Sequence, residues 1–184
     1  VRVARSLREQ HGFRGYIHLK TIPGASPALM AEAGRHADRL SMNVEMPDEK
    51  ALSRLAPEKD AGAIRKGMAV TRSEIDAAKD ARKPGPGRIR RARPPRFAPA
   101  GQSTQMIVGA DGATDLAILD KSVSLYASYG LKRVYYSAFS PTGHPSTSNA
   151  TGCSWNASSA TRMRSAWDNG RAISSGARSS TTIP

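Results

Sequence analysis

The sequence has 184 residues, which is enough for one domain of ordinary size. It carries 28 Lys and Arg residues against 15 Asp and Glu, a net charge of +13, and only 5% aromatic residues. Its single cysteine, Cys153, excludes a disulfide framework and any self-contained four-cysteine metal site. Without an apolar run of about 18 residues or a secretory signal, we expect a cytoplasmic protein that contacts no membrane.

The N-terminal half predicts two strands and three helices. A first strand over residues 15–20 leads to a helix that begins at Ser26, a capping residue, with Pro27 in its first turn. Helical spacing gives this helix an apolar face, which we expect to be buried: Leu29, Met30, Ala33 and Ala37. The pattern then predicts a strand over 40–46 and helices over 48–55 and 61–81.

Basic charge is concentrated in residues 82–96, which hold seven of the 28 Lys and Arg residues, four prolines and no acidic residue. Proline removes backbone donors and like charges repel, so we expect an extended, solvated loop here. Two interpretations stay open: an ordinary loop insertion, or a contact for DNA or RNA. In the second case the phosphates would bind the central arginines of the segment, Arg88, Arg90, Arg91 and Arg93.

After this basic segment the sequence predicts two further strands, at 103–110 and 132–139, with a helix over 114–129 between them. Gly130 is a typical helix stop. We expect the helix to bury one apolar side, formed by Leu116, Leu119, Val123 and Tyr126. Alternating strands and helices predict an α/β fold with a parallel sheet.

The C-terminal residues 140–184 differ in composition from the rest of the chain. Seventeen of these 45 residues are Ser or Thr, none is Leu or Val, and Asp168 is the one acid. Such a stretch cannot bury enough apolar surface to offset the entropy of ordering it. We therefore divide the chain into a folded part, 1–139, and a low-complexity tail, 140–184, that is disordered or translated out of frame. Cys153 in this tail has no visible activating partner, so we interpret it as incidental.

Polar and apolar residues alternate along the predicted strands, whereas buried parallel strands usually read as continuous apolar runs. A (β/α) barrel with a polar lumen, open at the strand ends, accounts for this alternation. An exposed sheet face would produce it too. We favour the lumen, because helices on both sides of a flat sheet would leave no exposed face. The polar side of the strands carries Tyr16, His18, Lys20, Ser41, Asn43, Glu45, Ser103, Gln105, Tyr135 and Ser137.

Five stretches of the sequence are distinctive: GFRGYIHLKTIPGAS (12–26), ADRLSMNVEMP (37–47), LAPEKD (55–60), PRFAPAGQSTQMIVGA (95–110) and LKRVYYSAFSP (131–141). Together they resemble one family of radical S-adenosylmethionine (radical SAM) proteins, over about residues 8–141. The family is assigned to DNA modification or repair and is related to biotin synthase. The resemblance implies a partial (β/α) barrel that binds S-adenosylmethionine and a [4Fe–4S] cluster.

The cluster-binding motif of that superfamily is missing from this chain. A CxxxCxxC loop normally holds three irons, and the cofactor bound to the fourth iron yields a 5′-deoxyadenosyl radical. No CxxxCxxC occurs here, and Cys153 cannot replace three thiolates. We therefore expect no cluster on this chain, no catalytic residue in it, and a separate or missing N-terminal portion that carries the cysteines.

The resemblance also implies cofactor contacts. By strand order, Asn43 and Glu45 correspond to residues that bind the ribose and the amino-acid part of S-adenosylmethionine. An adenine-contacting GxIxGxxE-like motif falls on 105–112, where Ile107 and Gly109 match but Gln105 and Gly112 depart from the pattern. Further cofactor candidates are Gln102, Ser103, Tyr136 and Ser137; weaker candidates for substrate contact are His18 and Lys20. For each of them, a packing or hydrogen-bonding role inside the barrel is the alternative.

Three functional hypotheses follow. The chain is a fragment of a radical SAM enzyme that acts on nucleic acid and is inactive by itself. Alternatively, it is a non-catalytic, basic fragment that binds nucleic acid, since its charge suits a polyanion. The third hypothesis is a truncated product without function, because a four-stranded piece of a barrel leaves open sheet edges.

Overall fold

The computed structural model describes residues 1–83 and 95–140. Arg88, Arg90, Arg91 and Arg93 of the basic segment, and Cys153 with the tail from residue 141 onward, lie outside these ranges. The described residues form five helices and four strands. In chain order these are α1 (Arg2–Glu9), β1 (His18–Lys20), α2 (Pro27–His36), β2 (Arg39–Ser41), α3 (Glu49–Leu55), α4 (Ala61–Asp80), β3 (Gln102–Val108), α5 (Asp115–Tyr129) and β4 (Arg133–Ala138).

All four strands form one parallel sheet in the order β1–β2–β3–β4. The predicted α/β class and parallel sheet are therefore confirmed. Because each crossover joins neighbouring strands, and such crossovers are right-handed, the connecting helices lie on one face of the sheet. Met42, just after β2, lies against Gly67 of α4 on this helix-covered face. The opposite face, on which none of these connecting helices lies, is called the uncovered face below, although its central residues Ser41, Asn43 and Ser103 are buried.

Side-chain caps set where four of the described helices begin, as sequence patterns predicted for α2. Each capping side chain accepts a hydrogen bond from a backbone N–H of the first turn, which contributes about 1 kcal/mol. Gly130 ends α5 with φ 58°, a left-handed conformation that glycine adopts without a steric penalty. The caps are Ser26 for α2, Asp48 for α3, Asp60 for α4 and Thr114 for α5.

The second strand is shorter than the predicted 40–46. After Ser41 the ladder to β3 is interrupted, and the Thr104 side chain takes its place. The Thr104 hydroxyl donates to the Met42 carbonyl (2.8 Å) and accepts from the Val44 N–H (3.0 Å). Pairing then resumes in an isolated bridge between Glu45 and Met106. The chain thus stays beside β3 up to Glu45, although regular strand geometry ends four residues earlier.

The apolar core lies between the sheet and the helices, and its largest fully buried side chains include Leu40, Met68, Met106 and Ile118. On α2, Met30 and Ala33 are buried as predicted. Leu29, however, is exposed. None of the helices in the described ranges combines the length and the hydropathy needed to cross a membrane.

The predicted buried side of α5 is wrong. Leu116 and Val123 are each 67% exposed, and the residues that face the core are Ile118, Ser122 and Leu125. Hydrophobicity alone does not find this side, because Ser122 is a polar member of it. Its hydroxyl donates to the Ile118 carbonyl (2.8 Å) one turn earlier, so the serine is buried without an unmet hydrogen bond.

Candidate functional site

The uncovered face carries a row of polar residues that crosses all four strands. In-register neighbours of a parallel sheet point to the same side. Lys20 of β1 pairs with Ser41 of β2, Ser41 pairs with Ser103 of β3, and Ser103 pairs with Arg133 of β4. Since Gln102, next to Ser103, points into the helices, this row points away from them. The polar alternation predicted along the strands therefore forms one continuous row on this face, of which Ser41 and Ser103 are buried.

Two predicted site residues meet on this face near the carboxyl ends of the strands. The Gln105 amide of β3 donates to the Ser137 hydroxyl of β4 at 3.0 Å. Ile107, also predicted, is in register with Ser137 and lies on the same side. The side-chain oxygen of Gln105, Oε1, stays available as an acceptor, so an N–H or O–H group of a ligand could still donate to it.

Glu45 ends the β2 segment in an uncommon conformation, with φ 62°. Its N–H donates to the Gln105 carbonyl (3.1 Å), and its own carbonyl accepts from the Ile107 N–H (2.7 Å). These two bonds hold a left-handed conformation that costs a non-glycine residue on the order of 1–3 kcal/mol. The Glu45 carboxylate lies 3.7 Å from Lys59 Nζ in the α3–α4 loop, and the side chain is 14% exposed.

Asn43 lies between Met42 and Val44, whose side chains belong to the helix-covered face, so its own side chain belongs to the uncovered face. It is buried, with 7% of its surface exposed. Asn43 and Glu45 thus lie beside the Gln105–Ser137 pair at the same edge of the sheet. All four are among the candidates that the resemblance named, and a cofactor role for them stays a prediction.

The predicted motif glycine has a structural role of its own. Gly109 follows β3 with φ 86°, a value that a residue with a Cβ rarely adopts. Here the chain leaves the sheet and turns toward α5. The Asp111 carboxylate then accepts a hydrogen bond from the Ala113 N–H (3.2 Å) in the same turn. A glycine at position 109 is therefore required by the backbone, with or without a ligand.

Gln102 and Tyr136, both predicted cofactor contacts, point their side chains into the helix layer. The Gln102 amide donates to the carbonyls of Met68 (3.1 Å) and Tyr129 (2.7 Å). The Tyr136 hydroxyl lies 2.7 Å from the Ser122 hydroxyl of α5. Burial raises the pKa of Tyr136, against the smaller opposing effect of the Ser122 hydrogen bond. Only the main chains of these two residues can serve a ligand on the uncovered face.

His18 and Lys20, the predicted substrate contacts, lie on the uncovered face of the edge strand β1 and are exposed. Their strand is three strand spacings, about 14 Å, from β4, and Ser137 lies four residues beyond Arg133, the β4 residue in register with Lys20. Burial lowers the pKa of His18 from 6.5, and the nearby positive charge of Arg39 lowers it further. His18 is therefore neutral near pH 7.

Arg39 is a notable residue that the sequence analysis missed. It begins β2 on the uncovered face, is 8% exposed, and its Nε donates to the Tyr16 hydroxyl (2.7 Å). Its Nη1 is buried without a hydrogen-bond partner, and so is the Oγ of Ser103 on the neighbouring strand. The sequence held a signal for Arg39, because it lies two residues before Ser41 and so extends the polar alternation of Ser41 and Asn43.

Within residues 1–83 and 95–140, no group of three or more His, Cys, Asp or Glu side chains is placed to hold a metal ion. No protein-family model matches the chain, and comparisons with curated proteins and with solved structures found no match. The function is therefore argued from the chemistry of the uncovered face and its topology.

Proposed function

We propose that this chain is one wall of a (β/α) barrel that binds S-adenosylmethionine, within a radical SAM enzyme that modifies or repairs DNA. The observation that supports it is the uncovered face, which presents Asn43, Gln105 and Ser137 toward the carboxyl ends of parallel strands. Ligand sites of (β/α) barrels lie at this end. The radical SAM assignment itself comes from the sequence resemblance.

The strand order supports a barrel over a doubly wound sheet. Consecutive order with helices on one face is how a (β/α) barrel is built, whereas doubly wound sheets reverse their order and cover both faces. Among the described residues, no further strand lies beside either edge strand, β1 or β4. On the β4 side, Tyr135 of the edge strand and Leu116 and Val123 of α5 are exposed apolar groups that a further strand–helix unit would cover.

The chemistry of the carboxyl-end residues fits S-adenosylmethionine. This cofactor offers an amino group, a carboxylate, ribose hydroxyls and adenine. The Glu45 carboxylate would accept from the hydroxyls or the amino group, and the Gln105 amide can donate and accept at once. The backbone after β3, at Ile107 and Gly109, would contact adenine. S-adenosylmethionine supplies the 5′-deoxyadenosyl group, and these residues would bind and orient it.

The residues do not fit a [4Fe–4S] cluster. Three thiolates are needed for the usual radical SAM site, and the sequence contains one cysteine. The chain alone is therefore proposed to bind the cofactor without cleaving it. After anaerobic incubation with iron and sulfide we expect no bound iron and no brown absorbance. A content of about four irons per chain would contradict this.

Isothermal titration of the full chain with S-adenosylmethionine tests the proposal. We expect saturable binding, about tenfold weaker in Gln105→Ala because one hydrogen bond to the ligand is lost. Lys66→Ala, on the exposed side of α4, is the control and should bind as the unmodified chain does. Absence of saturable binding, or equal binding by both variants, would overturn the proposed cofactor site.

A further inference from the structure

A basic cleft of about 340 Å³ lies at the other end of the sheet. Its lining comes from α1, the last turn of α2 and the loops that precede β1, β2 and β3, so it is at the amino ends of the strands. The candidate cofactor residues lie at the carboxyl ends. The cleft is therefore a separate site, and nothing in the proposed cofactor chemistry uses it. Its main lining residues are Arg8, Phe13, Arg14, Arg35, His36, Asp38 and Arg96.

One of the four arginines is already paired. Arg8 Nη2 lies 2.6 Å from the Asp38 carboxylate, and its other nitrogens donate to the carbonyls of His36, Phe13 and Gly15. The negative charge of Asp38 is thus compensated by Arg8, and the same carboxylate also accepts a hydrogen bond from the Ile17 N–H (2.8 Å). The acid of the cleft is thus not available to any other cation.

The other three arginines keep their charge free for a ligand. Arg14, Arg35 and Arg96 are exposed, and none forms an ion pair within the described part of the chain. Three unpaired guanidinium groups on one concave surface repel one another. An anion between them removes that repulsion, and phosphate suits guanidinium because it accepts two parallel hydrogen bonds.

An aromatic ring stands beside these charges. Phe13 is 43% exposed, and its ring lies against Gly15, where a Cβ would come within 2.2 Å of the ring. The Arg8 guanidinium is 5.8 Å from the ring centroid. The ring is thus held in place while part of its surface stays open. A partly exposed aromatic ring next to phosphate-binding groups is a combination with which proteins bind single-stranded nucleic acid.

We propose that this cleft binds single-stranded nucleic acid, with one base stacked on Phe13 and the flanking phosphates bound by Arg14, Arg35 and Arg96. A volume of about 340 Å³ is at the lower end of ligand pockets, roughly 300–1,000 Å³, so the cleft takes about one nucleotide. A single strand is required because the bases of a duplex are stacked on one another. The site does not depend on binding of S-adenosylmethionine.

Fluorescence anisotropy of the full chain with labelled oligo(dT) and oligo(rU) tests this site. The triple variant Arg14→Gln, Arg35→Gln, Arg96→Gln should bind at least tenfold more weakly. Its slope of log affinity against log salt should fall by about 2, since each lost contact to a single strand contributes about 0.7. The matched control, Lys50→Gln, Arg54→Gln, Lys66→Gln, removes the same charge from α3 and α4 and should leave affinity within about threefold.

Phe13→Leu provides the second readout. Loss of base stacking should weaken binding by about fivefold or more while leaving the salt slope unchanged. Three results would overturn the proposal. The first is equal binding by the cleft triple variant and its control. The second is loss of binding in Arg88→Gln, Arg90→Gln, Arg91→Gln, Arg93→Gln alone, which would assign it to the basic segment. The third is equal competition by inorganic phosphate or by anionic phospholipid vesicles.

Cofactor binding and cleft binding are measured separately, so each can fail alone. Gln105→Ala should lose affinity for S-adenosylmethionine and keep affinity for the oligonucleotide. The cleft triple variant should do the reverse. If Gln105→Ala weakened oligonucleotide binding as much as the cleft variant does, the nucleic acid would occupy the uncovered face and the cleft proposal would be wrong.

Discussion

The hydroxyl of Tyr136 lies 2.7 Å from the hydroxyl of Ser122, and this contact bonds β4 to the inner side of α5. Ser122 is 4% exposed and also donates to a carbonyl of its own helix. The pair explains why α5 turns a serine inward and leaves two large apolar residues outside. A hydrogen bond between two elements thus helps set which side of the helix is buried.

Removal of this pair should destabilise the fold. Ser122→Ala leaves the Tyr136 hydroxyl without its protein partner, and we expect the free energy of unfolding to fall by about 1 kcal/mol. Ser124→Ala, on the exposed side of the same helix, is the control and should change it by less than about 0.5 kcal/mol. Urea unfolding measures both, and equal effects would mean that the pair does not hold the helix.

Gln102 and Gln105 should lose different amounts of stability on the same substitution. Gln102→Leu removes two hydrogen bonds to helix carbonyls and should lower the free energy of unfolding by about 2 kcal/mol. Gln105→Leu, on the uncovered face, should cost about 1 kcal/mol or less and weaken binding of S-adenosylmethionine. Urea unfolding and calorimetric titration separate the two. Similar unfolding losses would contradict the assignment of the faces.

Arg39 is a buried cation without an acidic partner among the described residues, and a buried charge of this kind is unfavourable. Arg39→Met should therefore raise the free energy of unfolding, by about 1 kcal/mol, despite the lost bond to Tyr16. Arg8→Met is the matched comparison. It removes an arginine with four hydrogen bonds and should lower stability by about 2 kcal/mol. A loss in both variants would show that Arg39 is paired in solution.

The lowered pKa of His18 predicts a dependence of stability on pH. Burial, and then Arg39, favour the neutral imidazole in the folded state. The unfolded chain therefore binds the proton more strongly near its ordinary pKa of 6.5. This contribution to stability is present above pH 6.5 and is lost as the pH falls through the lower pKa of the folded state. His18→Gln should make unfolding measured between pH 7.5 and pH 5 less pH-dependent; an unchanged profile would contradict the shift.

The left-handed conformation of Glu45 can be tested with two variants that both lose the ion pair to Lys59. Glycine adopts φ 62° without strain because it has no Cβ, whereas alanine has a Cβ and therefore retains the steric clash. We expect Glu45→Gly to unfold with a free energy about 1 kcal/mol higher than Glu45→Ala. Both should bind S-adenosylmethionine more weakly than the unmodified chain. Equal stability of the two variants would mean that the conformation is relaxed in solution.

Much of the element order was predictable because its signals are local. Ser26 with Pro27, Asp48 and Gly130 act on residues within one helical turn, and the start of α2 and both ends of α3 and α5 agree with the prediction to within a residue. The polar alternation of the strands was equally local. For the same reason, the uncovered face and its candidate residues could be proposed from the sequence.

The end of β2 was not predictable from the sequence. Residues 40–46 alternate like a strand, but regular pairing stops at Ser41. The cause is in β3, whose Thr104 side chain bonds the backbone at Met42 and Val44 in place of the ladder. Whether a strand-like pattern forms regular pairing depends on the side chains of the partner strand, and that partner is some 60 residues away in the chain.

The sequence by itself determined α2, α3, α4 and α5, the cap of α2, the glycine that ends α5, the parallel α/β class and the polar row of the strands, since each depends on neighbours along the chain. Tertiary structure decided which side of α5 is buried and turned Gln102 and Tyr136 away from the candidate site. It also assembled the basic cleft from α1, the end of α2 and the loops that hold Arg14 and Arg96. Burial and charge pairing are set by residues that meet across elements, and local sequence carries no record of which ones will meet.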